Sequence, residues 1–175
     1  MNNLITTFMI YFIEPLGGTS KDLGLTLFLM AFSEIPAVMF GKNIMSHIGA
    51  PAMLRISALG GVLKLVLFFA TPNITFWIWL NVSHILLSGF YQVSSVYYSY
   101  AIVGEKDIVK GQAIMGIFVT GICSMLANSL GGWMLESISI KGILFIGIFI
   151  SMVAFAIIYF ATSAKHFKNE VVRTI

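Results

Sequence analysis

Residues 74–103 read ITFWIWLNVSHILLSGFYQVSSVYYSYAIV, thirty residues without a single Asp, Glu, Lys or Arg. The hydrocarbon core of a bilayer is about 30 Å thick and takes about 20 apolar residues of helix to cross, so this stretch is long enough to span it. Its polar members are ordered. Trp77, Asn81, His84, Ser88, Tyr91, Ser95 and Tyr98 recur at steps of four, three, four, three, four and three, which lays them along one helix face, and Gln92 and Ser99 widen the stripe. A polar stripe at membrane depth must face protein or water.

Five further apolar stretches surround it, at residues 4–16, 23–40, 52–70, 113–135 and 142–164. They are apolar on nearly all sides and too long for the alternating, roughly ten-residue pattern of barrel strands, so helices are expected throughout. The breaks are turn-like: Gly17 to Asp22, Ile48-Gly49-Ala50-Pro51, Thr71-Pro72-Asn73, Gly104 to Asp107 and Ser137 to Gly142. Links this short favour antiparallel neighbours in one compact bundle. The expected fold is an all-α integral membrane bundle of six transmembrane helices forming a single domain over residues 1–175.

Composition agrees. Residues of the apolar set make up 58% of the chain and charged residues only 10%, against roughly 25% charged in a soluble domain. No cleavable signal peptide is visible, because the first apolar run lacks a basic leader and a clean small-residue cleavage site. Cys123 is the only cysteine, and His47, His84 and His166 lie in different segments, so neither a disulfide framework nor a metal set is expected. The net charge of +3 reflects orientation and not nucleic-acid binding. Assigning loops alternately, one side collects Lys42, Arg55, Lys106, Lys110, Lys165, Lys168 and Arg173, the other only Lys21 and Lys141. The positive-inside rule then places both termini in the cytoplasm, with a plasma-membrane location expected.

The first segment is the exception. Thirteen residues at 1.5 Å each reach only about 20 Å, short of the apolar core, so the chain reads as beginning inside a helix of a longer protein.

Three ionisable residues lie deep. Counting from each expected helix start, Glu34 is about 16 Å from the outer face, Lys64 about 18 Å from the inner face and His84 about 14 Å from the outer face. A charge there costs several kcal/mol unless it is paired or solvated, and such midplane sites are where secondary transporters hold substrate and coupling protons. Thr120, Ser124 and Asn128 form a second polar line on the fifth segment, while Thr26, Ser33 and Glu34 lie broadly on one side of the second. On the third, Ser57, Gly60, Gly61 and Lys64 share a face whose small residues permit close helix approach, which turns Lys64 toward protein. The sixth segment reads as lipid-facing scaffold. Glu34, His84 and Lys64 are therefore the proton-coupling candidates, and Asn81, Ser88, Tyr91, Gln92, Ser95, Thr120, Ser124 and Asn128 the substrate-cavity candidates. A direct Glu34–Lys64 pair that neutralises two buried charges is the structural alternative, and a hydrogen-bonded structural role is the alternative for His84. The imidazole, with its unperturbed pKa of about 6.5, suits proton exchange. Gly111, Gly116, Gly121, Gly131 and Gly132 are expected to serve close packing and bending.

The chain resembles the C-terminal six-helix half of a major facilitator superfamily transporter. The resemblance rests on Glu34-Ile35-Pro36, the turn Met45-Ser46-His47-Ile48-Gly49, Arg55, Gly111-Gln112-Ala113 and Gly131-Gly132-Trp133. Glu-Ile-Pro is similar to the sugar efflux transporters, while Lys64 and His84 look like an Arg and a His of the lactose permease branch. The proton-carrying Glu one turn beyond that His is replaced here by Leu87. The resemblance implies that the first, second, fourth and fifth helices line a cavity and that the third and sixth support them. It also implies a partner: an N-terminal six-helix half, or a second copy of the chain.

The expected function is proton-coupled alternating access for a small polar solute such as a sugar or drug-like compound, with protons, solute and lipid as partners and no cofactor. A non-transporting membrane fragment or accessory subunit is the alternative. An intramembrane hydrolase is disfavoured, because no Gly-x-Ser-x-Gly or His-Glu-x-x-His motif is present.

Overall fold

The computed structural model describes residues 2–163. Expectations for Ala164, Lys165, His166, Lys168 and Arg173 fall outside these residues. Every regular element among the described residues is helical. The first apolar segment is broken into α1 (Asn2–Thr7), α2 (Met9–Ile13) and a 3-10 turn, Glu14–Leu16, closed by Gly17 at φ 81°. Then come α3 (Ser20–Ile48) and α4 (Ala50–Phe69). The fourth rod comprises α5 (Ile74–Leu80), a 3-10 turn at Asn81–Ser83, a π turn at Ile85–Gly89 and α6 (Phe90–Val103). The fifth is α7 (Ile108–Gly116), a π turn at Ile117–Ile122 and α8 (Cys123–Ser137), and the last is α9 (Ile140–Ser163). Among the described residues, five rods are long and apolar enough to cross a membrane. The first segment is helical but shorter, so six full crossings are not displayed.

Several boundaries move outward from the sequence reading. α3 begins at Ser20, where the Thr19 backbone N–H and hydroxyl both donate to the Asp22 carboxylate, at 2.8 and 2.7 Å, relieving the first turn of unpaired donors. It runs on through Met45-Ser46-His47-Ile48, read as a turn, to Gly49, whose φ of 82° ends the helix and whose N–H reaches the Met45 carbonyl at 2.7 Å. Pro51 then starts α4, where its missing N–H costs nothing. At 29 residues α3 is about 43 Å long and outreaches the apolar core. The fifth rod likewise starts at Ile108, and the sixth at Ile140.

The tightest packing gathers at one end of the bundle. Phe68 stacks on Trp77 at 3.8 Å between centroids and 9° between planes, Phe12 lies 6.1 Å from the same indole, and Met9, Ile13, Met30, Leu65 and Ile143 close around them. A smaller cluster of Met45, Ala50 and Met53 holds the other end. Lipid tails are as apolar as these side chains, so helix contact depends on close approach. Small residues supply it: a Cβ added at Gly41 would meet Val93 at 2.7 Å, one at Gly131 would meet Leu4 at 2.8 Å, and one at Gly89 would collide with the Cβ of Ala37. Gly116 and Gly121 do not serve the close packing expected of them, since nothing lies within 4 Å of an added Cβ there.

Large apolar side chains dominate the exterior. Phe145, Phe149 and Phe160 of α9 are 66%, 66% and 73% exposed, as lipid-facing residues should be. Yet α9 is not scaffold alone: it packs along α4 and sends Ser151 inward. Arg55 pins its far end, with Nε donating to the Thr162 hydroxyl at 2.7 Å and Nη2 to Ser163 at 3.1 Å, while the guanidinium lies 5.1 Å from the Tyr159 ring centroid.

Candidate functional site

Three rods meet at the ionisable groups. His84 sits between the 3-10 and π turns of the fourth rod, with α3 packed on one side and α4 on the other. Its Nε2 is 3.1 Å from Oε1 of Glu34 on α3, and its Nδ1 is 3.0 Å from Nζ of Lys64 on α4. The direct Glu34–Lys64 pair of the sequence reading is therefore replaced by a chain of three, Glu34–His84–Lys64. Chemistry dictates the pairing of the ring nitrogens. A charged ammonium only donates, so with Lys64 protonated Nδ1 accepts from it and the proton on Nε2 goes to the carboxylate. Lys64 and His84 are buried, at 4% each, while the Glu34 side chain retains 27% of its exposure. The Lys64 ammonium also lies 5.2 Å from the Phe68 ring centroid, a cation–π contact in a desolvated setting.

Gln92 extends the chain. Its Nε2 donates to Oε2 of Glu34 at 3.1 Å and to the Ser88 hydroxyl at 3.1 Å. Ser88 and Gln92 also line a cavity of about 460 Å³, with Tyr91, Thr120, Ser57, Ser151 and Asn3 supplying its other polar groups and Leu54, Leu87 and Ile158 part of its apolar wall. No charged side chain lines it among the described residues. The π turns of the fourth and fifth rods both border it, through Leu87 and Ser88 and through Val119 and Thr120. π turns are concentrated at functional sites because they re-aim side chains and free backbone carbonyls.

The candidates drawn from the sequence divide. Ser88, Tyr91, Gln92 and Thr120 line the cavity; Asn81, Ser95, Ser124 and Asn128 do not. Asn81 is fully buried and donates to the Trp77 carbonyl at 2.8 Å, while Ser95 returns its hydroxyl to the Gln92 carbonyl at 3.0 Å. Ser124 is engaged by the Asn3 amide. Two lines of helical spacing thus mixed cavity residues with residues turned elsewhere, because a π turn interrupts the regular spacing on each rod. Asn3, Ser57 and Ser151 escaped the sequence reading as cavity residues. For Ser151 a signal existed: it is the one hydroxyl residue between Lys141 and Thr162 other than Tyr159. The third and sixth rods, implied to be supports, both contribute to the wall.

Among the described residues no cluster of His, Cys, Asp and Glu has the makings of a metal site. Comparison with curated proteins and with solved structures gives no match. A family model does match, over residues 1–146, and spans four of the five long rods together with the start of α9. On that match, and on an all-α membrane bundle carrying buried polar groups beside a cavity, the chain belongs to the MFS_1 like family, a family of transporter type.

Proposed function

We propose that this chain is one half of a secondary transporter that moves a small polar solute by proton-coupled alternating access, with Glu34, His84 and Lys64 as the titrating chain. The observation that carries this reading is the linkage of that chain to the cavity through Gln92 and Ser88. A solute in the cavity and a proton on the chain then bear on the same side chains.

Protonation has a definite structural consequence. An imidazolium donates from both nitrogens, so a proton added at Nδ1 of His84 removes the acceptor that Lys64 uses. The Lys64–His84 contact must open while the Glu34–His84 pair tightens. Because α3 and α4 carry the two ends, proton uptake biases how these rods stand against the fourth, and so favours one access state. The cavity's hydroxyl and amide groups among apolar walls suit a neutral polar solute such as a sugar or a drug-like compound. An N-terminal half or a second copy would close the other side, and the seven-to-two bias of basic residues favours cytoplasmic termini in a plasma membrane.

The test is transport by the chain joined to an N-terminal six-helix half in vesicles with an imposed pH gradient. His84→Ala and Glu34→Gln should each abolish gradient-driven flux while solute exchange at equal pH persists. Unchanged gradient-driven flux in both variants overturns the roles assigned, and no flux in any variant favours a non-transporting accessory subunit.

A further inference from the structure

Beside Lys64 lies a second, smaller void of about 50 Å³, walled by Gly61, Lys64, Leu65, Phe68, Leu87, Ile5 and Ser151. A site needs about 10–15 Å³ of such volume to hold a water, and the water needs at least two polar partners. Two are present. The Lys64 ammonium carries three protons, of which His84 takes one and the Phe68 face attracts another. Ser151 on α9 lies on the same wall. Gly61, Leu87 and Ser151 also belong to the wall of the large cavity, so the two spaces adjoin.

We infer that this void is a water site bridging Lys64 to Ser151, and that it gives the ammonium an aqueous path to the large cavity independent of Glu34. Both ends of the three-residue chain then reach the same cavity, Glu34 by way of Gln92 and Lys64 by way of water. The energetics favour occupation: Lys64 is only 4% exposed and its ammonium has His84 as its one hydrogen-bond acceptor, a costly state, and each bound water adds an acceptor. The titratable and charged groups facing Lys64 are His84 from the fourth rod and Glu34 from α3; α1 and α9 present Ile5 and Ser151 at the void, and neither titrates. When a proton leaves, an N–H bond of the ammonium breaks as an O–H bond forms on the water, the excess proton passes to cavity water, and a neutral amine remains. This inference deepens the transport reading but is tested without measuring transport.

The experiment uses the full chain in membranes, with Cys123→Ser as background and one thiol introduced by Ser151→Cys. Iodoacetamide, small, neutral and water-soluble, reports on access, and its rate tracks the thiolate fraction. The thiol at position 151 should react, with a pH midpoint below the ordinary thiol value of about 8.5, because a hydrated ammonium next to it stabilises the thiolate. Adding Lys64→Met should slow alkylation at pH 7 by about tenfold, one pKa unit. A Ser88→Cys control marks entry to the large cavity. If position 88 reacts and position 151 does not, the void is sealed and the inference fails. It also fails if position 151 reacts with a midpoint at or above about 8.5, a result that stands even where Lys64→Met does not fold. Absence of flux in the vesicle test of the preceding section, with these rates intact, would overturn the transport reading and leave the water site standing.

Discussion

The Ser57 hydroxyl on α4 donates to the backbone carbonyl of Leu87 at 2.7 Å, inside the π turn of Ile85–Gly89. A π turn inserts a residue into the regular helical ladder and leaves a carbonyl underserved. Here a neighbouring rod serves it, and the turn that aims His84 and Ser88 is held from outside. Ser57→Ala should destabilise the fold by about 1 kcal/mol, the net worth of one hydrogen bond. Thermal unfolding in detergent checks this, with faster amide exchange expected over residues 85–92.

The contact between α3 and the fourth rod closes at Gly89, where an added Cβ would run into Ala37. Gly89→Ala should lower thermal stability by about 1–3 kcal/mol, the range for overpacking. Gly116→Ala and Gly121→Ala should be neutral or slightly stabilising, since both sites are open and alanine favours the helix by about 1 kcal/mol. Equal losses at all three positions would contradict the packing described.

Removing one member of a buried charge chain should cost more than removing two. His84→Leu leaves the Lys64 ammonium without its acceptor and should destabilise by about 3–5 kcal/mol. The double variant His84→Leu with Lys64→Met should recover much of that, because Glu34 keeps both its exposure and its Gln92 partner. A double-mutant cycle on thermal midpoints reads the difference.

Arg55 ties the start of α4 to the end of α9 through Thr162, Ser163 and Tyr159. Arg55→Lys cannot reproduce a planar fork that bonds two hydroxyls and stacks on a ring. Amide exchange over residues 155–163 should rise several-fold in this variant, with exchange around Trp77 unchanged.

What the residues determined alone was the class and the inventory. Runs of apolar residues with few charges admit only lipid-embedded helices, because nothing else satisfies its own backbone there. Glu34, Lys64 and His84 were legible because ionisable groups at that depth are expensive. Their order was not. His84 stands between the other two only because α3, α4 and the fourth rod meet around it, a fact of helix packing that no spacing along one rod encodes. The cavity wall was half legible for a related reason: steps of three and four assume a regular helix, and the turns at Ile85–Gly89 and Ile117–Ile122 break that regularity at the depth of the cavity. Ser57, Asn3 and Ser151 joined the site through contacts between rods, where tertiary structure alone decides which small polar residue faces water and which faces its own backbone.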